Sequence, residues 1–198
     1  MGAAKQPNAM DPEGIRKNGQ LANTIYSSPQ QPPITSPIAG QAKGAQRRSG
    51  AHMIDAALLK LLRSVDTPSV CNAIEVAQGK RGFNGFTRGT MLASAPTEVM
   101  AGYAVTAKIK ALAPPDEAPD VIRARRMAYY KSMAEGPKPS IAVVEDEDFP
   151  HCIGAYWGEV NTTVHKGFGM NGALTDGVMR DLGDMAPSSP VVAGSIGP

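Results

Sequence analysis

Residues 158–184, GEVNTTVHKGFGMNGALTDGVMRDLGD, constrain the fold of this chain more tightly than any other part of it. They read as a helix beginning at Glu159, a Gly-rich turn, a short apolar strand and an Asp176-Gly177 turn, so the chain doubles back. That path returns the Arg180-Asp181 pair, with Asp184 close behind, to the start of the helix. A helix start offers unpaired backbone N–H groups and partial positive charge, which makes Glu159, Val160 and Asn161 a carboxylate-binding turn. Arg180 adds a planar fork of donors matched to a carboxylate or an enolate oxygen. Asp181, Glu159 and Asp184 supply hard oxygens of the kind Mg2+ or Mn2+ prefers, with waters completing an octahedron. A 2-oxo acid and a divalent cation fit such a place.

The remaining sequence is ordered around this stretch. Residues 1–50 hold 6 of the 17 prolines, and the run SSPQQPPITSP has too little apolar surface to offset the entropy of ordering it. Residues 1–50 therefore read as a disordered, basic, Pro-rich arm or a cloning remnant, and 51–198 as the folded domain. Six cations against two acids give the arm a net charge of +4, so the remainder carries −2 of the whole-chain +2. The basic pI belongs to the arm. Ser49-Gly50-Ala51-His52-Met53 resembles a cloning junction, and the arm has neither a secretory apolar core nor an Arg-rich amphipathic repeat.

Helical spacing of Ile54, Ala57, Leu58, Leu61 and Leu62 predicts a packing helix over 54–63. Asp66-Thr67-Pro68 predicts a cap and first turn for a second helix through about Ala77. Residues 79–102 read as loop with short extended pieces, and 102–112 alternate as a half-buried strand. A helix over 119–134 is expected to bury Val121, Ile122, Met127, Tyr130 and Met133, and to show Arg123, Arg125, Arg126 and Lys131 to solvent. Without interleaved stacking aromatics, that basic stripe reads as a solvated face, not a nucleic-acid site. A buried strand over 140–144 ends in Glu145-Asp146-Glu147-Asp148, a run that reads as a mutually repelling solvated loop before it reads as a cation site. Val191-Val192-Ala193 starts a further strand. Cys71 and Cys152 share no metal-ligand spacing and read as free thiols of a reducing, cytoplasmic compartment, and no apolar run reaches the ~20 residues a membrane span needs.

Taken with its surroundings, the stretch resembles the RraA-like family, which includes class II pyruvate aldolases that cleave 4-hydroxy-4-methyl-2-oxoglutarate and 4-carboxy-4-hydroxy-2-oxoadipate. The family pattern is an acid, twenty intervening residues, Arg-Asp, and an acid three positions on; here these are Glu159, Arg180, Asp181 and Asp184. The likeness extends through VDTPSVCNAIE, GYAVTAKIKA and GPKPSIAVVEDED, and so covers roughly residues 53–198, with Asn72 standing where the family has Asp.

The resemblance implies an α/β domain in β/β/α layers with a mixed sheet, here lacking the family's C-terminal strands, assembled as a homotrimer or hexamer with sites between subunits. It implies a metal-dependent aldolase that releases pyruvate and also decarboxylates oxaloacetate. Asp181 would be the Mg2+ or Mn2+ ligand, with Glu159 acting through water. Arg180 and Glu159 would be catalytic, and Val160, Asn161 and Arg180 would hold substrate. The alternative within the family is a non-catalytic regulator that binds an RNA-degradation enzyme. Blander readings compete at single residues. Arg180 and Asp184 have the spacing of a helical surface ion pair, His165 that of a packing histidine, and Lys166 has no neighbours that would depress its pKa for Schiff-base chemistry. A strand opening at Val191 near the end of the chain is expected to be a bare sheet edge.

Overall fold

The computed structural model describes residues 24–27, 54–87 and 91–197. Asp66 caps the second helix as expected, and Asp55, read as lying within the first, caps it instead: each side chain accepts an amide of its own first turn, Ser69 N at 2.8 Å and Ala57 N at 3.1 Å. Helix α1 spans Ala56–Leu62 and α2 spans Thr67–Gln78. Left-handed Gly79 (φ 62°) ends α2. Hydrogen bonds from the Ser69 hydroxyl and then its amide hold the Asp66 carboxyl below the usual range.

Two sheets follow. The larger contains β1 (Thr24–Ser27), β2 (Leu92–Ala93), β3 (Tyr103–Lys110), β4 (Ser140–Asp146), β6 (Met170–Thr175) and β8 (Val191–Ala193), in the order β1-β3-β4-β6-β8-β2. Its four central strands are parallel, while β1 and β2 pair antiparallel at the two edges, so the sheet is mixed. The smaller sheet is parallel, β5 (Ala155–Trp157), β7 (Val178–Met179) and β9 (Ser195–Ile196), in the order β5-β7-β9. Helices α3 (Pro119–Glu135) and α4 (Glu159–Gly167) complete an α/β fold. Tyr129 and Met133 of α3 pack with Ala107, Ile109, Ala142 and Val144 of β3 and β4 in a core that continues through Trp157 and Met179 into the smaller sheet.

Three expectations are corrected here. The buried face of α3 is turned toward Tyr129 and Met133, while Val121 and Met127 are exposed; Tyr129 goes inward because its hydroxyl meets a buried histidine. Val191 does not open a bare edge. Strand β8 is paired on both sides, by β6 and by β2, and Val191 and Ala193 are fully buried. Residues 24–27, inside the arm read as disordered, form edge strand β1, consistent with the β-branched and aromatic pair Ile25-Tyr26. The rest of that arm and the 49–53 junction lie outside the described residues. Both cysteines are free thiols, and no helix among the described residues is long and apolar enough to cross a membrane.

Candidate active site

The stretch 158–184 folds as its pattern predicts: α4, a turn, β6, the Asp176-Gly177 turn, then β7, which hands the chain directly to Arg180 and Asp181. Strands β5 and β7 lie side by side, so the residues following each emerge together. Arg180 N donates to Trp157 O at 2.8 Å, and Glu159 N, the first amide of α4, donates to Asp181 Oδ2 at 3.2 Å. Arg180 Nε lies 3.4 Å from the same carboxylate oxygen. Glu159, Arg180 and Asp181 are therefore gathered at one exposed mouth at the ends of parallel strands, where open α/β sheets collect ligands.

Two backbone features make this approach possible. Asp181 has φ 55°, a left-handed conformation that Asp tolerates better than most residues. Gly158 is buried against it: a Cβ there would run into Asp181 Oδ2 and stand 3.0 Å from Arg180 Cγ. With no Cβ at 158 the Asp181 carboxylate closes against the chain, whereas a side chain there would make it shift. Sequence reasoning passed over Gly158, because a glycine required for close approach looks like any loop glycine until its neighbour is known.

The other expected residues are placed as follows. Val160 and Asn161 continue the first turn of α4, where N–H groups have no intrahelical acceptor. The Asn161 side chain is occupied, with Nδ2 donating to Tyr156 O at 2.6 Å. Asp184 follows Asp181 in a turn, its N–H donating to Asp181 O at 2.9 Å. That segment is not helical, so the helical ion-pair geometry for Arg180 and Asp184 does not arise; the ion partner of Arg180 is Asp181. Lys166 Nζ donates to Pro187 O at 2.6 Å, and Thr162 Oγ1 accepts from Ala186 N at 3.0 Å. Both bonds tether the segment after Asp181 to α4.

Among the described residues no three acidic, cysteine or histidine side chains converge as a metal cage. The donor set at the mouth is a single carboxylate, Asp181, with Glu159 beside it. That set fits Mg2+ or Mn2+, which commonly take one or two carboxylates and keep several waters. The 145–148 acids are spent elsewhere. Lys108 Nζ lies 3.0 Å from Glu145 and 3.6 Å from Glu147, and Asp148 Oδ2 accepts both Ala111 N and Leu112 N at 2.7 Å. Asp146 is buried, which raises its pKa, and its backbone N–H donates to Asp176 Oδ1 at 2.7 Å. This bond ties the end of β4 to the turn that launches β7, so Asp146 and Asp176 support the site from behind.

His165 lies on the buried side of α4 among Tyr129, Tyr130, Tyr156, Trp157 and Phe168. Its Nδ1 is 2.6 Å from Asn161 O, which can only accept, so Nδ1 carries the proton; Nε2, 2.5 Å from the Tyr129 oxygen, accepts from that hydroxyl. Burial pushes the imidazole down to about 4. It is a neutral packing group. The unfolded chain takes up the proton near pH 6.5, whereas the folded chain resists until about pH 4. Stability from His165 is thus complete above pH 6.5 and falls as pH drops through this window, by at most about 3 kcal/mol. Urea unfolding at pH 7 and pH 4.5 should show a smaller loss in His165→Gln than in the parent; equal losses would contradict the buried neutral assignment.

The profile of the RraA-like family, Aldolase/RraA, matches residues 67–196. No curated protein matches the sequence. A solved structure described as that of novel cellulases from microbes associated with the gut ecosystem is 18% identical, with a TM-score of 0.47, over 77% of this chain and 63% of that one. Streptomyces coelicolor RraAS2, described as an unusual member of the RNase ES inhibitor RraA protein family, is 20% identical, with a TM-score of 0.44, over 74% of this chain and 66% of that one. The chain thus spans about two thirds of the length of each.

Proposed function

We propose that this chain, which belongs to the RraA-like (Aldolase/RraA) family, is a divalent-metal-dependent pyruvate aldolase that splits a 4-hydroxy-2-oxo acid into pyruvate and a second oxo compound. The observation that carries this reading is the joining of Glu159 N to Asp181 Oδ2 beside Arg180, which sets a carboxylate, a guanidinium and a helix N-terminus at one mouth. Asp181, with Glu159 through water, would hold Mg2+ or Mn2+, and the cation would supply Lewis-acid polarisation of the 2-oxo group.

The first-turn amides of α4 at Val160 and Asn161 bind the substrate carboxylate, aided by the positive end of the helix. Arg180 has five N–H donors, and its contact with Asp181 uses Nε. The rest of the fork pairs with the oxygen on C2 as it gains charge. A site water takes the proton of the 4-hydroxyl, the C3–C4 bond breaks, C4 becomes a carbonyl, and the electron pair passes into the enolate of pyruvate. Protonation at C3 completes the release. Oxaloacetate reaches the same enolate by losing its C4 carboxylate as CO2, so decarboxylation belongs to the same site. The assembly that accompanies this reading is a homotrimer or hexamer.

Enolate formation is testable without knowing the natural substrate. Pyruvate in D2O with Mg2+ should lose its methyl proton signal in the presence of the protein and keep it when chelator is added. Exchange that ignores the chelator, or no exchange, would overturn the reading. Gly158→Ala should lower this exchange about a hundredfold, the scale for misplacing a reacting group by an ångström, because Asp181 must move to admit the methyl group. An unchanged rate in that variant would mean that the closure of Gly158 on Asp181 is irrelevant to chemistry.

A further inference from the structure

The buried hydroxyl of Thr162 has a duty that helix formation does not ask of it. Threonine is a middling helix former, β-branched and prone to bond its own turn, yet α4 carries two in succession. Thr163 is exposed, whereas Thr162 is only 1% exposed. A buried hydroxyl has to place both its proton and its lone pairs. The proton goes back along the helix to Gly158 O at 2.8 Å, with Glu159 O at 3.1 Å sharing it. A lone pair reaches out of the helix and accepts Ala186 N at 3.0 Å. One oxygen thus joins the two chain segments that form the mouth.

Both ends of this link bear on the chemistry. Gly158 O also accepts Thr162 N at 3.0 Å, so the residue against which Asp181 closes is bonded twice to Thr162. On the other segment, Asp181 holds a left-handed backbone between two fixed points, Arg180 N on Trp157 O before it and Asp184 N on Asp181 O after it. Such a conformation persists only where its surroundings determine it. The next fixed point is the buried bond of Ala186 N to Thr162; the bond from Lys166 to Pro187 beyond it is exposed, where water competes. A 2-oxo acid joins its carboxylate to its carbonyl by a single C–C bond, so the first-turn amides and the Arg180-Asp181 pair must stand at one separation to hold both. We propose that Thr162 is a positioning residue, whose hydroxyl sets the separation between the amides at the start of α4 and the Arg180-Asp181 pair. Its bearing on turnover rests on the aldolase reading, whereas the clamp itself does not.

Two variants of the full chain test this. Thr162→Val keeps the shape and nearly the same helix propensity but removes the hydroxyl, while Thr162→Ser keeps the hydroxyl. In Thr162→Val, hydrogen exchange at the Ala186 amide should quicken by about tenfold or more, and the NMR signals of the Glu159 and Arg180 amides should move. Chelator-sensitive loss of the pyruvate methyl signal in D2O should slow by about ten- to a hundredfold. Mn2+ affinity, read from water-proton relaxation, should hold, because the Asp181 carboxylate is untouched. Thr162→Ser should return both the amides and the rate toward the parent. Parent-like Ala186 and Glu159 amides in Thr162→Val would overturn the clamp. Moved amides with a parent-like rate, a rate that Thr162→Ser does not recover, or a rate and Mn2+ affinity lost together would each overturn the positioning role. If the parent itself exchanges no pyruvate, the aldolase reading fails, and the amide signals still decide whether Thr162 holds the mouth.

Discussion

Asp181→Asn is expected to remove metal-dependent turnover, by at least about a hundredfold, while leaving the fold in place. The loss follows from the donor set. One carboxylate is the only direct ligand proposed, and replacing it with a neutral amide removes both the charge and the hard oxygen that Mg2+ requires; even outer partners of metal ligands are worth 10- to 100-fold. The fold survives for local reasons. Asp181 is exposed, its left-handed backbone suits Asn equally well, and the Asn Oδ1 can still accept from Glu159 N. Circular dichroism and thermal melting should overlay the parent. Turnover within a few-fold of the parent at matched Mg2+ would refute Asp181 as the ligand.

Arg180→Lys should cost about 10²- to 10³-fold in turnover, the scale for losing one partner of a developing oxyanion. Charge is preserved in this variant, so the prediction isolates geometry. A guanidinium can contact Asp181 through Nε while presenting further N–H groups to substrate, whereas a single ammonium cannot reproduce the planar fork. Unchanged kinetics would return Arg180 to the role of a surface ion-pair partner. Restoration of activity by free guanidinium would instead strengthen the assignment.

How much of this could be read from the sequence depended on the kind of signal. The order of helix, strand and Asp-Gly turn in 158–184 was legible because each carries its own periodicity or turn chemistry, and the closure of Glu159 on Asp181 follows once β5 and β7 are neighbours. The cap at Asp66 was equally local. What stayed hidden depended on partners distant in the chain. Tyr129 and Tyr130 are indistinguishable by apolarity, and the hydrogen bond from Tyr129 to His165, 36 residues away, decides which turns inward. Gly158 is required only because Asp181 presses on it. The four consecutive acids were read as a solvated loop, but Asp146 and Asp148 are buried, and their individual duties, above all the link from Asp146 to Asp176, needed the sheet register to be seen. Strand β1 was missed because a four-residue β-prone island is outweighed by the prolines that follow it.

The central claim is best tested by measuring pyruvate release from oxaloacetate and from 4-hydroxy-4-methyl-2-oxoglutarate with the full chain, in Mg2+ and again after chelation. The account predicts protein-dependent pyruvate from at least one of them in Mg2+, abolished by chelator and restored by adding Mg2+ or Mn2+. Pyruvate formation from neither substrate above the protein-free rate, or at a rate that chelator leaves unchanged, would contradict it.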